Sequence, residues 1–247
     1  MATAPGRGRL YSMTKIRAIF YDAGRTLMRP RPQAPEIWEF LARQLGIDLV
    51  RKEAMPDVGH FYYARLGQDG LGAYDSDARA RSFWSAYYAQ ALIDAGVDLP
   101  REELISAGDA VYDWYQRPEQ WEPYPEVLEA LDRAHERGLV QGVISDWGTD
   151  LVPLLHAHEI TRHLDFVVAS AAVGAAKPHQ EIFHYALARA GLKPAQVIYV
   201  GDSYVSDVLG ARAVGMTPVL IDRDGTAPDV DCDVVTSLLH VLDLVPV

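Results

Sequence analysis

Apolar runs and amphipathic helix patterns alternate along this sequence, and few folds accommodate that alternation. Segments that are β-branched and apolar on both faces occupy 16–22, 139–145, 165–170, 196–202 and 217–222. Helix patterns that end in glycine lie between them, at 125–138, 179–191 and 206–215. Strands that are apolar on both faces belong to parallel sheets covered by helices on each side. The alternation therefore predicts an α/β fold with a doubly wound, Rossmann-like parallel sheet.

One segment interrupts the alternation. Residues 31–120 contain helix patterns and many tryptophan and tyrosine residues, but no convincing strand pattern. We predict that this segment is an inserted helical domain and that 15–30 and 121–247 together form the core. Most of the aromatic rings are expected to pack inside the insertion. Residues 1–14 lack the apolar stretch of a signal peptide, so we expect a flexible extension, with Met13 as an alternative start.

Charge and cysteine content narrow the choice of partners and location. The chain has 34 acidic against 23 basic residues and a formal net charge of −11. Such a surface repels nucleic-acid phosphates and anionic lipid, so we expect neither nucleic acid nor membrane as a partner. The single cysteine, Cys232, excludes an intrachain disulfide and favours a reducing cytoplasm. A monomer and a homodimer are equally compatible with the sequence.

Chemically versatile side chains stand at the ends of successive predicted strands. In chain order they are Asp22, Ser145, Asp146, Lys177, Asp202 and, shortly after, Asp207. Each one alone is commonly a helix cap, a turn residue or a solvated lysine. The carboxyl ends of parallel strands, however, meet at the edge of the sheet where such folds bind ligands. Because a full set at successive strand ends rarely arises by chance, we predict that these residues form one site.

The residue types suit phosphoryl transfer. Carboxylate oxygens from Asp22, Asp202 and Asp207 match the preferences of Mg²⁺, which would relieve their mutual repulsion and neutralise an incoming phosphate. Ser145 can donate a hydrogen bond to a phosphate oxygen. Lys177 can offset the negative charge between nucleophile and phosphate. We expect Asp22 to attack phosphorus and form an aspartyl-phosphate.

Four motifs resemble those of the haloacid dehalogenase superfamily. They read DAGRT at 22–26, VISD at 143–146, AAKP at 175–178 and GDSYVSD at 201–207. Their order and spacing match across residues 16–222, and they are most similar to the phosphatase-type branch with a helical cap after the first motif. The resemblance implies a Rossmann-like core, a cap domain, Mg²⁺ as cofactor and a small phosphorylated substrate.

The resemblance also implies roles for individual residues. The implied catalytic residues are Asp22 as nucleophile, Ser145 and Lys177. The implied Mg²⁺ ligands are Asp22, the backbone carbonyl of Gly24, Asp202 and Asp207. The candidates for phosphate binding are Ser145, Asp146, Lys177 and Arg25.

Three positions depart from the family pattern. Gly24 stands where the phosphatases carry a second aspartate as general acid and base, Arg25 replaces a glycine, and Asp146 replaces an asparagine. General acid–base groups contribute about 10²–10⁴-fold to rate, and electrostatic stabilisation is usually the larger effect. We therefore expect a slow enzyme that prefers leaving groups needing little protonation, such as aryl or acyl phosphates. Asp146 is expected in a turn or as a substitute acid–base group, and Arg25 in an outward ion pair or a phosphate contact.

Other functions stay open at this point. Metal-independent dehalogenases of the superfamily also lack the second acid, although their last motif generally lacks an aspartate such as Asp202. A catalytically impaired protein that acts as a binding or regulatory partner would also explain Gly24. A phosphonate-cleaving enzyme is a further alternative, in which Lys52 would be the cap lysine that such enzymes recruit.

Overall fold

The computed structural model describes residues 15–49, 54–62, 74–227 and 229–245. The predicted extension 1–14, with Met13, and the alternative lysine Lys52 lie outside these residues. The strands, in chain order, are β1 (Ala18–Tyr21), β2 (Met28–Pro30), β3 (Trp121–Pro123), β4 (Val140–Ser145), β5 (Phe166–Ala169), β6 (Val197–Gly201), β7 (Thr217–Ile221) and β8 (Asp233–Val235). Residues 58–62 are helical, and the α-helices that lie wholly within the described residues are α1 (Ala34–Leu45), α2 (Asp77–Asp94), α3 (Arg101–Tyr115), α4 (Val127–Glu136), α5 (Leu151–Ala157), α6 (Ser170–Val173), α7 (Gln180–Ala190), α8 (Gly210–Ala213) and α9 (Leu238–Val241).

A six-stranded parallel sheet forms the centre of the molecule. Its strand order is β5-β4-β1-β6-β7-β8, so the chain extends the sheet first to one side of β1 and then to the other. All four residues of β1 are buried, as expected for the strand at the reversal point. The predicted α/β fold and its five strands are confirmed. The edge strand β8 was not predicted, because its short sequence DVV is partly polar.

Helices cover both faces of the sheet because successive residues of a strand point to opposite sides. Ile19 and Tyr21 of β1 pack in one hydrophobic cluster, together with residues of α4, α5 and α9. Ala18 and Phe20 pack in a second cluster on the other face, with residues of α7 and α8. Two buried faces explain why the strands read as continuous apolar runs.

The helices between β2 and β3 have a hydrophobic cluster of their own. It joins α1, α2 and α3 and includes the buried rings of Trp38, Tyr87 and Tyr88. Among the described residues of 31–120 there is no strand. Where the chain leaves the sheet region and returns to it, β2 and β3 pair antiparallel, with Pro30 opposite Trp121. The exact domain boundaries stay a prediction.

The segment after β6 differs from the α-helix that was predicted for residues 206–215. Tyr204–Leu209 form a π-helix, which leads into α8. A π-helix has a wider turn than an α-helix, and here the Asp207 side chain of that turn lies close to the backbone of β6. A Cβ on Gly201 would lie 2.2 Å from Cγ of Asp207. Glycine at position 201 therefore lets the Asp207 carboxylate lie against the end of β6.

None of the helices in the described part of the chain is both long and apolar enough to cross a membrane.

Candidate active site

The side chains that follow β1, β4 and β6 meet at the carboxyl edge of the sheet. The strand order reverses at β1, which has β4 on one side and β6 on the other. In open α/β sheets this is the position of the ligand-binding crevice. Asp22 is the first residue after β1, and its backbone N–H donates to the carbonyl of Val200 in β6 at 2.8 Å. The topology therefore brings the predicted strand-end residues to one place.

Asp22 is held by two charged or polar donors. The Ser145 hydroxyl donates to Oδ1 of Asp22 at 2.8 Å, and the ammonium of Lys177 donates to the same oxygen at 2.7 Å. All three side chains are buried. Burial raises the pKa of Asp22, and the neighbouring Lys177 opposes that shift. Two of the three residues predicted as catalytic from the sequence, Ser145 and Lys177, thus both contact the third, Asp22.

Lys177 also connects Asp22 to Asp207. Its Nζ donates to Oδ1 of Asp207 at 2.6 Å, while the other carboxylate oxygen of Asp207 accepts the Ser203 backbone N–H at 2.9 Å. Although burial opposes the charged form, Asp207 and Asp22 raise the pKa of Lys177 well above its ordinary value. Lys177 is therefore a fixed positive charge between two carboxylates.

Tyr199 belongs to this network and was missed by sequence reasoning. Its hydroxyl lies 3.1 Å from Oδ1 of Asp207, 3.3 Å from Nζ of Lys177 and 3.0 Å from the backbone carbonyl of Ile144. The only sequence signal is a hydroxyl-bearing ring within the otherwise apolar strand VIYVG. Its ring also packs edge-on against Phe183, so core packing and the polar contacts position it together.

Three carboxylates form a group suited to a cation. Oxygens of Asp22, Asp202 and Asp207 lie within 4.8 Å of one another. Burial, with the negative charges of Asp22 and Asp207, raises the pKa of Asp202 to about 7. Because carboxylates this close repel one another when ionised, their arrangement fits a hard divalent cation that takes oxygen ligands. Gly24, the fourth predicted ligand, lies in the turn two residues after Asp22 and bridges to Met28.

Arg25 supplies a positive charge to this group from the protein itself. Its Nε lies 3.1 Å from Oδ2 of Asp202, and its Nη2 lies 3.9 Å from Oδ2 of Asp224. The residue has a left-handed backbone conformation with φ of 57°, which favours glycine. A cavity of about 240 Å³ opens beside the pair, with Asp222 and Arg223 among its lining residues. Arg25 therefore forms an exposed ion pair, which is one of the two roles expected from the sequence, and its partner Asp202 belongs to the carboxylate group.

Asp146 anchors the segment that carries Lys177. Its Oδ1 accepts the backbone N–H of Lys177 at 2.8 Å. Burial raises the pKa of Asp146 to about 7, and Lys177 opposes that shift. This contact is structural, which is one of the two roles predicted for Asp146, since it ties the loop after β4 to the loop that carries the ammonium group.

Gly24 faces the side chain of Trp147. A Cβ on Gly24 would lie 3.3 Å from Cζ3 of Trp147, which is tighter than an ordinary van der Waals contact. Trp147 comes two residues after Ser145 in the loop that follows β4. An indole ring therefore stands against the turn that follows Asp22. The sequence contains no signal for this contact, because it joins two loops distant along the chain.

The helical insertion reaches the same loops. The Asp77 carboxylate at the start of α2 accepts hydrogen bonds from both the backbone N–H and the hydroxyl of Thr149, each at 2.7 Å. The Ser170 hydroxyl donates to the backbone carbonyl of Tyr74 at 2.5 Å. These contacts place the beginning of α2 beside the loops that follow β4 and β5, over the edge that carries Asp22.

The sequence and the fold of this chain are both similar to those of known hydrolases. A family model described as haloacid dehalogenase-like hydrolase matches residues 16–215. The chain is 33% identical over 188 residues to haloacid dehalogenase-like hydrolase domain-containing protein 3 of Xenopus laevis, over 66% of this chain and 77% of that protein. It is 28% identical over 236 residues to a phosphoserine phosphatase of Thermus thermophilus, over 87% and 91% of the two chains. Among solved structures, an HAD phosphatase from Thermococcus onnurineus superposes with a TM-score of 0.63 and 25% identity, over 93% and 97% of the chains.

Proposed function

Because the chain belongs to the haloacid dehalogenase-like hydrolase family, we propose that it is a Mg²⁺-dependent phosphatase acting on a small phosphorylated metabolite. The observation that carries the proposal is the contact of Ser145 and Lys177 with one oxygen of Asp22, beside two further carboxylates. Relatives with phosphatase names support the same reaction class. The buried Lys177 and its two carboxylate partners favour an enzyme over a retired scaffold, since burying charges costs stability.

The residues that would hold Mg²⁺ are Asp22, the backbone carbonyl of Gly24, Asp202 and Asp207. The carboxylate group supports this assignment because its oxygens converge within 4.8 Å. When bound, the ion would neutralise the charge that develops on the phosphoryl oxygens. The chain's own Lys177 would balance the remaining negative charge between Asp22 and the substrate.

The proposed reaction has two steps. A carboxylate oxygen of Asp22 attacks phosphorus, the bond from phosphorus to the leaving oxygen breaks, and the leaving group departs with the bonding electron pair. Water then attacks phosphorus of the aspartyl-phosphate, which releases phosphate and restores the Asp22 carboxylate. Ser145 and Lys177 hold phosphoryl oxygens in both steps. Gly24 cannot protonate the leaving group as a second acid at that position would, so we propose slow turnover of esters with poor leaving groups.

The helical insertion is proposed to act as a cap over this site. Its contacts through Asp77 and Tyr74 with the loops after β4 and β5 support that role. A cap in this position would exclude water during the first step and contribute the surface that contacts the leaving group. We further propose that the enzyme is cytoplasmic and works as a monomer or homodimer.

A test of the function measures phosphate release from p-nitrophenyl phosphate with Mg²⁺ and with EDTA. We expect metal-dependent turnover that falls by at least about 10³-fold in Asp22→Asn, since that substitution removes the nucleophile. Asp48→Asn, which changes an exposed carboxylate of the insertion, is the matched control and should retain full activity. Turnover that survives EDTA or persists in Asp22→Asn contradicts the proposal.

A further inference from the structure

The ring of Trp147 lies against Gly24, the position at which the family's phosphatases carry a second acid. Gly24 follows Asp22 by two residues, and a Cβ there would lie 3.3 Å from Cζ3 of Trp147. Trp147 in turn follows Ser145 by two residues, and the Ser145 hydroxyl donates a hydrogen bond to Oδ1 of Asp22 at 2.8 Å. The edge of the indole therefore lies against position 24, where a polar proton donor is absent.

The indole is held in a fixed position. The Trp147 backbone N–H donates to the Ser170 hydroxyl at 3.1 Å, and its Nε1–H donates to Oδ2 of Asp150 at 3.3 Å. Its ring meets Trp121 edge to face, with centroids 4.7 Å apart. Trp121 is itself held by a 2.8 Å hydrogen bond from Nε1 to the Tyr115 carbonyl. The ring is thus a rigid surface, and it remains half-buried rather than enclosed.

The loop that carries Trp147 contacts both the turn after Asp22 and the insertion. The Ser170 hydroxyl, which accepts the backbone N–H of Trp147, donates to the backbone carbonyl of Tyr74. Thr149, in the same loop as Trp147, donates hydrogen bonds to the Asp77 carboxylate. A leaving group that extends from Asp22 toward the insertion would therefore come close to this loop.

We propose that Trp147 forms a wall of the leaving-group pocket and makes the enzyme selective for phosphate esters of aromatic alcohols. This inference rests on the proposed phosphatase function and names its substrate class. An aromatic alcohol stacks on an indole face, and its anion departs more readily than an alkoxide because phenols are the stronger acids. A polar aliphatic leaving group gains neither the ring contact nor a proton from position 24. The two features at positions 24 and 147 therefore favour the same substrates.

The test uses two ligands that cannot be hydrolysed and differ only in the group on phosphorus, phenylphosphonate and methylphosphonate. Their affinities are measured by calorimetry in the presence of Mg²⁺ for the wild type and for Trp147→Ala. We expect tighter binding of phenylphosphonate by the wild type and a loss of about tenfold in the variant. Methylphosphonate affinity should change by less than about twofold, since phosphate contacts from Ser145 and Lys177 remain.

Two further variants keep the test decisive if Trp147→Ala folds poorly. Trp147→Leu keeps an apolar side chain but removes the ring, so it should lose the preference for the phenyl ligand. Trp147→Phe keeps a ring and should retain most of that preference. Equal weakening of both ligands, or an unchanged preference in Trp147→Leu, overturns the inference while leaving the phosphatase function intact. A wild type that binds neither phosphonate and cleaves no phosphate ester overturns both.

Discussion

Arg25 illustrates how a single side chain could affect the proposed metal site without being a ligand. Its guanidinium lies 3.1 Å from Oδ2 of Asp202, one of the carboxylates proposed to bind Mg²⁺. A divalent cation bound there would be repelled by that positive charge and would compete with it for the carboxylate. Asp224, 3.9 Å from the same guanidinium, provides an alternative partner. The Arg25 side chain is 68% exposed, so solvent weakens its electrostatic interaction with the carboxylate to the strength of a surface ion pair.

We therefore expect Arg25→Ala to bind Mg²⁺ about twofold to fivefold more tightly. The measurement is calorimetric titration with Mg²⁺ in the absence of substrate. Arg29→Ala removes the same charge from a nearby residue that pairs with Glu122 at 2.7 Å, and it should leave the affinity unchanged. Weaker Mg²⁺ binding in Arg25→Ala would show instead that the guanidinium supports the site.

Gly24 and Trp147 should behave as a coupled pair. A Cβ at position 24 would lie 3.3 Å from the indole, so in Gly24→Asp alone the new side chain is crowded by a ring that is held by several contacts. We expect this variant to gain little activity. Gly24→Asp combined with Trp147→Leu should gain about 10-fold to 10²-fold on an alkyl phosphate, because the new carboxyl can then act as general acid. Additive effects of the two substitutions in steady-state assays would argue against the coupling.

At the scale of elements, the insertion depends on a close crossing of α2 and α3. A Cβ on Gly108 of α3 would lie 2.4 Å from the backbone carbonyl oxygen of Ser85 in α2. The Ser85 hydroxyl donates to Oδ1 of Asp109 at 2.6 Å, which holds the helices together at the same level. The crossing therefore allows no side chain at position 108.

We expect Gly108→Ala to lower the free energy of unfolding by about 1–3 kcal/mol, since relief of the clash requires the helix backbones to separate. Urea denaturation monitored by tryptophan fluorescence measures the change. Ser106→Ala, at an exposed position of the same helix, is the matched control and should stay within about 0.5 kcal/mol of the wild type. A Gly108→Ala variant as stable as the wild type would mean that the helices adjust freely.

At the scale of the whole molecule, Arg223 connects segments from the beginning, middle and end of the chain. It forms an ion pair with Glu126 at the start of α4 and donates to the Thr26 carbonyl at 2.6 Å. Glu126 also accepts the backbone N–H of Leu238 at 3.4 Å, at the start of α9. The guanidinium lies 3.9 Å from the centre of the Tyr124 ring. This cluster joins the turn after β1 to the C-terminal part of the sheet.

The Glu126 pair should make stability depend on pH in the acid range. Burial alone would raise the pKa of Glu126, but the hydrogen bond and charge of Arg223 lower it below its ordinary value of 4.5. The folded state then binds the Glu126 proton less tightly than the unfolded state does. The stabilisation from ionised Glu126 is therefore complete above pH 4.5, and it is lost as the pH falls through the lowered pKa of the folded state.

Glu126→Gln is therefore expected to lower the free energy of unfolding by about 1–3 kcal/mol at pH 7. The difference from the wild type should shrink as the pH falls below 4.5 in urea denaturation series. Glu129→Gln, in the same helix, removes an exposed carboxylate that pairs with Arg133 and should change stability by less than about 0.5 kcal/mol. A constant difference between Glu126→Gln and the wild type across the acid range would exclude this pair as its cause.

The sequence alone determined the sheet and the edge where the site lies. Strands such as 16–22 and 196–202 are apolar on both faces because each is buried between layers of helices. Each strand can therefore be recognised from its own short segment of sequence. Parallel strands place their carboxyl ends together, so the sequence alone assigns Asp22, Ser145 and Asp202 to one edge of the sheet.

Only the tertiary structure decided how the side chains at that edge are paired. The contacts of Arg25 with Asp202, of Asp146 with the Lys177 backbone, and of Trp147 with Gly24 join separate loops. Loop conformations and rotamers have no periodicity that a sequence could display, and each of these contacts depends on several segments packing at once. The sequence therefore determined which chemical groups meet, and the packing of the loops determined which of them touch.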